Sequence, residues 1–119
     1  MFKDLLEQVV RNTDGGIAAL VMGYDGIPVD HYIRDDAPVD VETIGMEFSV
    51  ILKDVQKATL MLDAGVAQEV AIRAERMTTV IRLVSDQFFL ALAISPTGNL
   101  GKARYLLRTH ASTVRDALA

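Results

Sequence analysis

The sequence predicts an α+β protein, a five-stranded antiparallel sheet with helices on both faces. Two segments, residues 16–22 and 87–94, are apolar at almost every position, which is typical of strands covered on both sides. Three segments have helical spacing of their apolar residues, and short turns join the strand-like segments. The predicted order is helix, two strands, a long helix, three strands, helix. We expect one domain over residues 1–119, built as a sandwich.

The first helix and the first hairpin are predicted from the N-terminal third. Apolar residues recur at helical spacing from Phe2 to Val9, and the pattern ends before two consecutive glycines. Residues 16–22 form the first central strand. Asp25-Gly26 then predicts a two-residue hairpin turn in which both central residues have positive φ. Pro28 marks the next strand, residues 27–33, as an edge strand.

The long second helix is predicted to begin after Asp40, whose carboxylate can accept the free amides of the first turn, and to end near Asp63. Its main apolar stripe is expected to cover the sheet. A second apolar stripe lies on nearly the opposite side, so some apolar surface remains after the helix has packed on its own sheet. The first stripe contains Val41, Ile44, Phe48, Ile51, Leu52, Val55 and Leu62; the second contains Met46, Val50 and Met61, with Lys57 between them.

Three strands joined by short turns, a meander, are predicted from the second half of the chain. They cover residues 68–75, 77–84 and 87–94. Val70 and Ile72 alternate with polar residues on the first of them, which has no proline to blunt its edge. A last helix from Leu100 is expected to place its apolar face on the sheet, with Asn99 or Thr97 as its cap.

Composition and charge exclude several classes of function. The net charge of −4 opposes the counterion release that drives non-specific binding to nucleic acid. The chain has no cysteine, so it has neither disulfides nor thiolate metal sites. No apolar run approaches the roughly 18 residues of a membrane span, and the start lacks the uninterrupted apolar core of a signal peptide. We therefore expect a cytoplasmic protein that neither binds nucleic acid nor inserts into a membrane.

Three stretches of the sequence resemble the roadblock family, named for a dynein light chain. They are the hairpin GIAALVMGYDGI of residues 16–27, the end of the long helix at Asp63-Ala-Gly65, and the stretch NLGKARYLLR of residues 99–108. The resemblance covers essentially the whole chain. It implies a roadblock/profilin-like sandwich, and its compact length is similar to bacterial MglC-type paralogues of MglB, a regulator of Ras-like GTPases.

The resemblance also implies a homodimer in which the third strands pair edge to edge and the long helices lie against each other. On this sequence the dimer interface would include Met46, Val50, Lys57, Met61, Val70 and Ile72. The surplus apolar stripe of the long helix and the unblunted third strand agree independently with such an interface. A dimer presents two copies of each surface, which suits a protein that bridges partners.

The hairpin tip is a candidate partner-binding site because Tyr24 and Ile27 sit beside a turn that normally meets water. In a two-residue loop they would face each other and form a small amphipathic tip with Asp25. Two interpretations stay open. Tyr24 either folds back on the sheet as a cross-strand pair, or docks into a partner as an aromatic anchor.

An enzyme is not expected from the motifs. The chain has no Gly-x-x-x-x-Gly-Lys-Ser/Thr phosphate loop, and Gly15-Gly16 follows a helix, which is the wrong context for a dinucleotide site. His31 and His110 have no metal-ligand spacing, and Asp35-Asp36 is typical of a solvated turn. No cofactor or metal is expected.

Arginines on the last helix and on the meander carry two further interpretations. Arg104, Arg108 and Arg115 share one side of the last helix, as a solvated basic face or as a docking stripe for an acidic partner. The meander arginines are Arg73, Arg76 and Arg82. Strand arginines are usually rim charges, and an arginine finger supplied to a GTPase is the less favoured interpretation.

The function predicted from the sequence is therefore a non-enzymatic homodimeric adaptor or regulator. The resemblance implies that it binds a small Ras-like GTPase or a roadblock paralogue in a bacterial polarity or motility circuit. Two alternatives stay open: a GTPase-activating partner of a Ras-like GTPase, and an inert structural subunit of the light-chain kind.

Overall fold

The computed structural model describes residues 1–35 and 37–119, and the predicted element order is confirmed. Asp36, half of the predicted Asp35-Asp36 turn, lies outside the described residues. The elements are α1 (Lys3–Arg11), β1 (Gly16–Gly23), β2 (Pro28–Ile33), α2 (Val41–Met61), β3 (Glu69–Arg73), β4 (Thr78–Leu83), β5 (Phe88–Ile94) and α3 (Leu100–Ala117). β1 is one residue longer than the sequence indicated, and the other four strands are each one to three residues shorter.

The five strands form one antiparallel sheet in the order β2-β1-β5-β4-β3. β1 and β5 lie in the middle, as their continuous apolar sequences predicted, and β2 is an edge strand that begins at Pro28. A proline is tolerated there because it has no N–H to give to a ladder. β3 forms the other edge.

The sheet separates two apolar cores, so the expected sandwich is confirmed. Leu6 and Leu107 pack against one face with the helices α1 and α3. Leu20, Leu52 and Phe89 pack on the other face, under α2. Alternate residues of a strand point to opposite faces, and the two all-apolar strands therefore supply both cores.

Polar side chains fix where two helices begin. The Asp40 carboxylate accepts the Thr43 hydroxyl at 2.7 Å and the Thr43 amide at 3.2 Å, which lowers the pKa of Asp40. At α3 the Asn99 side chain accepts the Lys102 amide at 3.0 Å. Asn99 is therefore the cap, rather than Thr97. In the described part of the chain, no helix is both long and apolar enough to cross a membrane.

The predicted core stripe of α2 is wrong at two positions. Ile51 is 44% exposed and Leu62 is 78% exposed. Leu62 lies past the last helical residue. The buried side of α2 runs through Gly45, Ser49 and Leu52 and is turned away from Ile51, because it includes two small residues that the apolar pattern does not count. A Cβ on Gly45 would lie 2.8 Å from Sδ of Met22. Leu52, on that side, is fully buried.

Candidate protein-interaction surface

The outer face of α2 carries exposed apolar side chains. Met46 is 54% exposed, Val50 is 61% exposed and Met61 is 77% exposed. Lys57, which lies between them, is also exposed. The sequence pattern placed this outer α2 stripe opposite the core face, and the structure agrees. A stripe of this kind marks a surface that a partner can cover.

The hairpin turn differs from the two-residue turn that the sequence predicted. The Ile27 carbonyl accepts the Gly23 amide at 3.0 Å, and the Gly23 carbonyl accepts the Gly26 amide at 3.0 Å. Three residues, Tyr24, Asp25 and Gly26, therefore form the loop. Only Gly26 among them has a positive φ, +86°. This is a tight turn followed by one left-handed glycine, a common three-residue hairpin loop.

Tyr24 folds back on the sheet. Its ring stacks on that of Phe89 with the centroids 5.6 Å apart, and its hydroxyl donates to the Ser85 carbonyl at 3.0 Å. Burial, with a smaller contribution from the Asp86 carboxylate, raises the pKa of Tyr24 to about 12. The phenol therefore stays protonated and keeps its donor role. Of the two interpretations above, the cross-strand packing describes its position.

Ile27 is the apolar side chain that the tip presents to solvent, with 64% of its surface exposed. The Asp25 carboxylate accepts the Ile27 amide at 3.0 Å and so holds the loop shape. The tip lies against the first half of α2, since a methyl group on Gly26 would sit 3.9 Å from Cγ of Met46. The hairpin tip and the outer α2 stripe are therefore neighbours, which the sequence did not indicate.

Val70 and Ile72 lie on β3, at the sheet edge, with partly buried side chains that pack against the core under α2. The opposite face of β3 carries Glu69, whose Oε2 accepts both Nε and a terminal nitrogen of Arg104, at 2.9 and 2.6 Å. This ion pair ties the edge strand to α3. The predicted dimer residues thus lie on two elements, α2 and the β3 edge.

An apolar groove that the sequence did not reveal opens beside α2, with a volume of about 660 Å³. Leu60 is 58% exposed and Val66 is 67% exposed beside it. Gln56 shapes its wall, because its side-chain oxygen accepts the Ala67 amide at 2.9 Å. Leu60 lies between the two α2 stripes that the periodicity singled out, so neither stripe included it. The lining residues include Tyr24, Lys53, Gln56, Leu60, Val66 and Leu83.

The two histidines lie on different elements, His31 on β2 and His110 on α3. Nδ1 of His31 lies 4.0 Å from a carboxylate oxygen of Glu42, and Nδ1 of His110 lies 2.9 Å from the Leu106 carbonyl on its own helix. Within residues 1–35 and 37–119, no cluster of three or more His, Asp or Glu side chains has a geometry that could hold a metal ion.

The α3 arginines have partners close by. Arg104 is held by Glu69, and Arg108 lies over the ring of Tyr105 with 5.7 Å to its centroid. Arg115 lies 3.6 Å from the carboxylate next to it along the chain. Of the two interpretations of this face, the solvated one is consistent with these contacts.

Comparison with known proteins gives structural relatives. The crystal structure of MglC from Myxococcus xanthus has 40% sequence identity, covers 98% of both chains and has a TM-score of 0.70. A Roadblock/LC7 domain from Streptomyces avermitilis has 15% identity, covers 98% of this chain and 96% of its own, and has a TM-score of 0.86. The gliding protein MglB from Thermus thermophilus has 22% identity, covers 95% of this chain and 84% of its own, and has a TM-score of 0.85.

The fold likeness extends to profilin II of Acanthamoeba castellanii, with a TM-score of 0.60 and 15% identity, and the predicted roadblock/profilin-like fold is thereby confirmed. No protein-family model matches the sequence, and no curated protein matches it.

Proposed function

This chain, 40% identical to MglC over 98% of both chains, belongs to the roadblock family, and on that premise we propose that it is a non-enzymatic homodimeric adaptor. It would work in the cytoplasm, in a bacterial circuit that controls motility or polarity. Support for the circuit comes from MglC, which is 40% identical, and from MglB, a gliding protein with the same fold. The adaptor acts by binding, through exposed apolar side chains such as Met46, Val50 and Met61.

The observation that carries the proposal is the outer α2 stripe. Met46, Val50 and Met61 are each more than half exposed, on the side of α2 away from its buried residues. Exposed apolar area of this kind is normally covered by a partner. A second copy of the chain brings an identical stripe, and a two-fold arrangement lets the two stripes cover each other.

Charge substitution on the outer α2 stripe tests the dimer. Met46→Glu or Val50→Glu should shift the chain toward monomer in light scattering, because a buried carboxylate without a partner is costly. Ala58→Glu is the matched control, since Ala58 is an exposed position of α2 outside the stripe and receives the same charge. Unchanged mass for the stripe variants, with all proteins folded by circular dichroism, would exclude this interface.

The partner we propose is a roadblock paralogue of the MglB kind or a small Ras-like GTPase. A structure of MglB with a tetrameric arrangement favours the paralogue, because it indicates that roadblock folds can associate into assemblies larger than a dimer. A dimer displays every surface twice, so one adaptor can hold two partner copies at an effective concentration that a single site does not reach.

Two assays separate this adaptor from the alternatives. Binding to the MglB-type paralogue and to the Ras-like GTPase of the same organism is measured by calorimetry, with Ile27→Asp to remove the apolar tip. Tyr24→Phe is the control, because it keeps the packed ring and removes only the hydroxyl that bonds Ser85. Faster GTP hydrolysis in the presence of the adaptor would support the activating role instead. Binding to neither protein would leave the inert structural subunit.

A further inference from the structure

The positive charge of the chain is concentrated on α3. This helix carries one acidic residue, Asp116, and four basic ones, which are Lys102, Arg104, Arg108 and Arg115. The whole chain has twelve basic and sixteen acidic residues, so the segments outside α3 hold eight basic and fifteen acidic ones. α3 is therefore a positive element on a negatively charged protein, and its field attracts acidic groups.

Three exposed arginines of α3, namely Arg104, Arg108 and Arg115, form a basic α3 row. Their spacings of four and seven residues place them within about 40° of each other around the helix axis. The row is about 16 Å long, at about 1.5 Å per residue. It lies on the side of α3 that borders β3, since Arg104 contacts Glu69 of that strand.

Most of the charge on the basic α3 row is not neutralised at close range. Glu69 holds Arg104 through Oε2, which lies 2.9 Å from Nε and 2.6 Å from a terminal nitrogen. Arg108 lies over an aromatic ring of its own helix, and Nε of Arg115 lies 3.6 Å from the Asp116 carboxylate, beyond hydrogen-bond length. Among residues 1–35 and 37–119, the guanidinium groups of Arg108 and Arg115 find no hydrogen-bond acceptor. Their N–H donors are solvated and available to a partner.

A notch of about 190 Å³ opens at the start of the row, between α3 and β3. Tyr105 on its wall is 51% exposed, and Gly101, one turn earlier, has no side chain to fill the space. Arg82 lies directly opposite Glu69 in the β3–β4 ladder, and its buried Nε has no hydrogen-bond partner in the described part of the chain. Arg82 thus adds a further positive charge on this side of the sheet. The notch is lined by Glu69, Gly101, Arg104, Tyr105 and Arg108.

We propose that the basic α3 row docks an acidic, extended segment of a partner protein, with carboxylates on Arg108 and Arg115 and a third at the notch. Arg104 and Arg108 are about 6 Å apart along the axis, and Arg108 and Arg115 about 10 Å. An extended chain advances about 3.3 Å per residue, so the three acidic residues should be two and then three positions apart. The row lies across the sheet from α2, so this surface is separate from the outer α2 stripe and gives the proposed adaptor a second kind of partner.

An acidic protein segment fits the row better than nucleic acid or a membrane. The guanidinium fork matches a carboxylate with two parallel hydrogen bonds. A large polyanion would meet the whole chain, and the fifteen acidic residues outside α3 would repel it, whereas a short segment meets only the row. Within α3, Tyr105 is the only exposed large apolar side chain, so the helix lacks the apolar face that a membrane-surface helix buries.

A synthetic peptide measures the docking directly. The probe is Gly-Asp-Ser-Asp-Ser-Gly-Asp-Gly with blocked ends and an uncharged dye, and fluorescence anisotropy gives its Kd. The same peptide with Asn in place of each Asp should not bind. Raising the salt concentration from about 50 to about 300 mM should weaken binding of the Asp peptide by about threefold or more, because exposed charges are screened. Equal binding of the two peptides would overturn the proposal.

Single substitutions locate the site. Arg108→Gln and Arg115→Gln should each weaken binding of the Asp peptide by about fivefold, because one carboxylate loses its donor. Arg108→Lys should fall between Arg108→Gln and the original chain, since it keeps the charge and loses the fork. Lys53→Gln is the matched control, because it removes one positive charge from an exposed position of α2, across the sheet. If Lys53→Gln weakens binding as much as Arg108→Gln, the peptide does not dock on the row.

A gain of binding is expected where the chain competes with the peptide. Glu69 occupies Arg104, so Glu69→Gln should free that guanidinium and strengthen peptide binding by about threefold. Glu47→Gln, an exposed position of α2, makes the same change in net charge and should leave the Kd nearly unchanged. An equal gain in both variants would mean that the peptide responds to net charge alone, and would overturn docking at the notch.

Two further measurements separate this proposal from its neighbours. Binding to phosphatidylserine vesicles without binding to the Asp peptide would identify a membrane surface and overturn the acidic-segment proposal. Arg108→Gln should keep the mass of the original chain in light scattering, so a loss of peptide binding leaves the proposed homodimer standing. An original chain that is monomeric and still binds the Asp peptide would refute the homodimer and support the α3 surface.

Discussion

The carboxylate of Asp30, on β2, holds the start of α1, so its substitution should lower the stability of the protein. Its carboxylate accepts the Phe2 amide at 2.9 Å and the His31 amide at 2.9 Å, and it lies 3.7 Å from Nζ of Lys3. The N-cap residue Phe2 has no side-chain cap of its own. Asp30 therefore accepts a free amide at the start of α1 from a neighbouring strand, which is the role of a capping side chain.

Asp30→Asn keeps the shape and removes the charge. Asn has one acceptor oxygen where Asp has two, so one of the two amide hydrogen bonds is lost at a cost of about 1 kcal/mol. The loss of a negative charge near a helix N-terminus costs about 0.5 kcal/mol more. Together these lower the melting temperature by about 6 °C for a chain of this length, measured by calorimetry at pH 7. Asp54→Asn, at an exposed position on α2, is the matched control and should leave the melting temperature nearly unchanged.

The effect of Asp30 should depend on pH with a definite sign. Burial alone would raise the pKa of Asp30, but the hydrogen bonds from the Phe2 and His31 amides and the nearby amino terminus outweigh it and lower this pKa. The stabilisation is therefore fully present above the unfolded value of about 3.9 and is lost as the pH falls through the lower folded value. The difference in stability between the original chain and Asp30→Asn should shrink below about pH 4. An equal difference at about pH 7 and about pH 2.5 would refute this account.

Three further predictions concern stability in urea. Leu52→Ala should lower the free energy of unfolding by about 3 kcal/mol, because the Leu52 side chain is fully buried. Ile51→Ala should lower it by less than about 1 kcal/mol, because Ile51 is 44% exposed. Equal losses would contradict the observed packing of α2. Asn99→Ala should cost about 1 kcal/mol, since its side chain caps α3 with a 3.0 Å bond, and no loss would mean that the cap is dispensable. Gly16→Ala should lower the free energy of unfolding by about 2 kcal/mol or more, because the added Cβ would overlap the Val10 carbonyl oxygen near the end of α1. Gly101→Ala should raise it by about 0.5 kcal/mol, because the nearest atom to its added Cβ is 3.6 Å away and alanine favours a helix.

The spacing of apolar residues was sufficient to predict the order of helices and strands, because the strongest apolar patterns in this sequence belong to elements that the tertiary structure buries. β1 and β5 are apolar at nearly every position and can only lie in the middle of the sheet. The error at Ile51 has a different origin. A pattern of apolar residues omits small residues, and the buried side of α2 passes through Gly45 and Ser49, so it is turned away from Ile51.

The hairpin turn shows a second limit of local sequence. Asp25-Gly26 indicated a turn correctly, but its length depends on contacts that are distant in sequence. The Tyr24 ring stacks on Phe89, and its hydroxyl donates to the carbonyl of Ser85, 61 residues away. With Tyr24 drawn onto the sheet, the loop closes between Gly23 and Ile27. The same contacts pack the Tyr24 ring on the sheet, whereas Ile27 is exposed.

The nearness of Gly26 to Met46 changes how the two proposed interfaces must be tested. Because the hairpin tip lies against one end of the outer α2 stripe, a substitution at Met46 can disturb both the dimer and a partner at the tip. Met61 lies about 22 Å farther along the helix, at about 1.5 Å per residue. Met61→Glu should therefore weaken the dimer without touching the tip, and Ile27→Asp should weaken partner binding at constant mass. If the two variants lose both properties together, the tip and the stripe form one continuous interface rather than two.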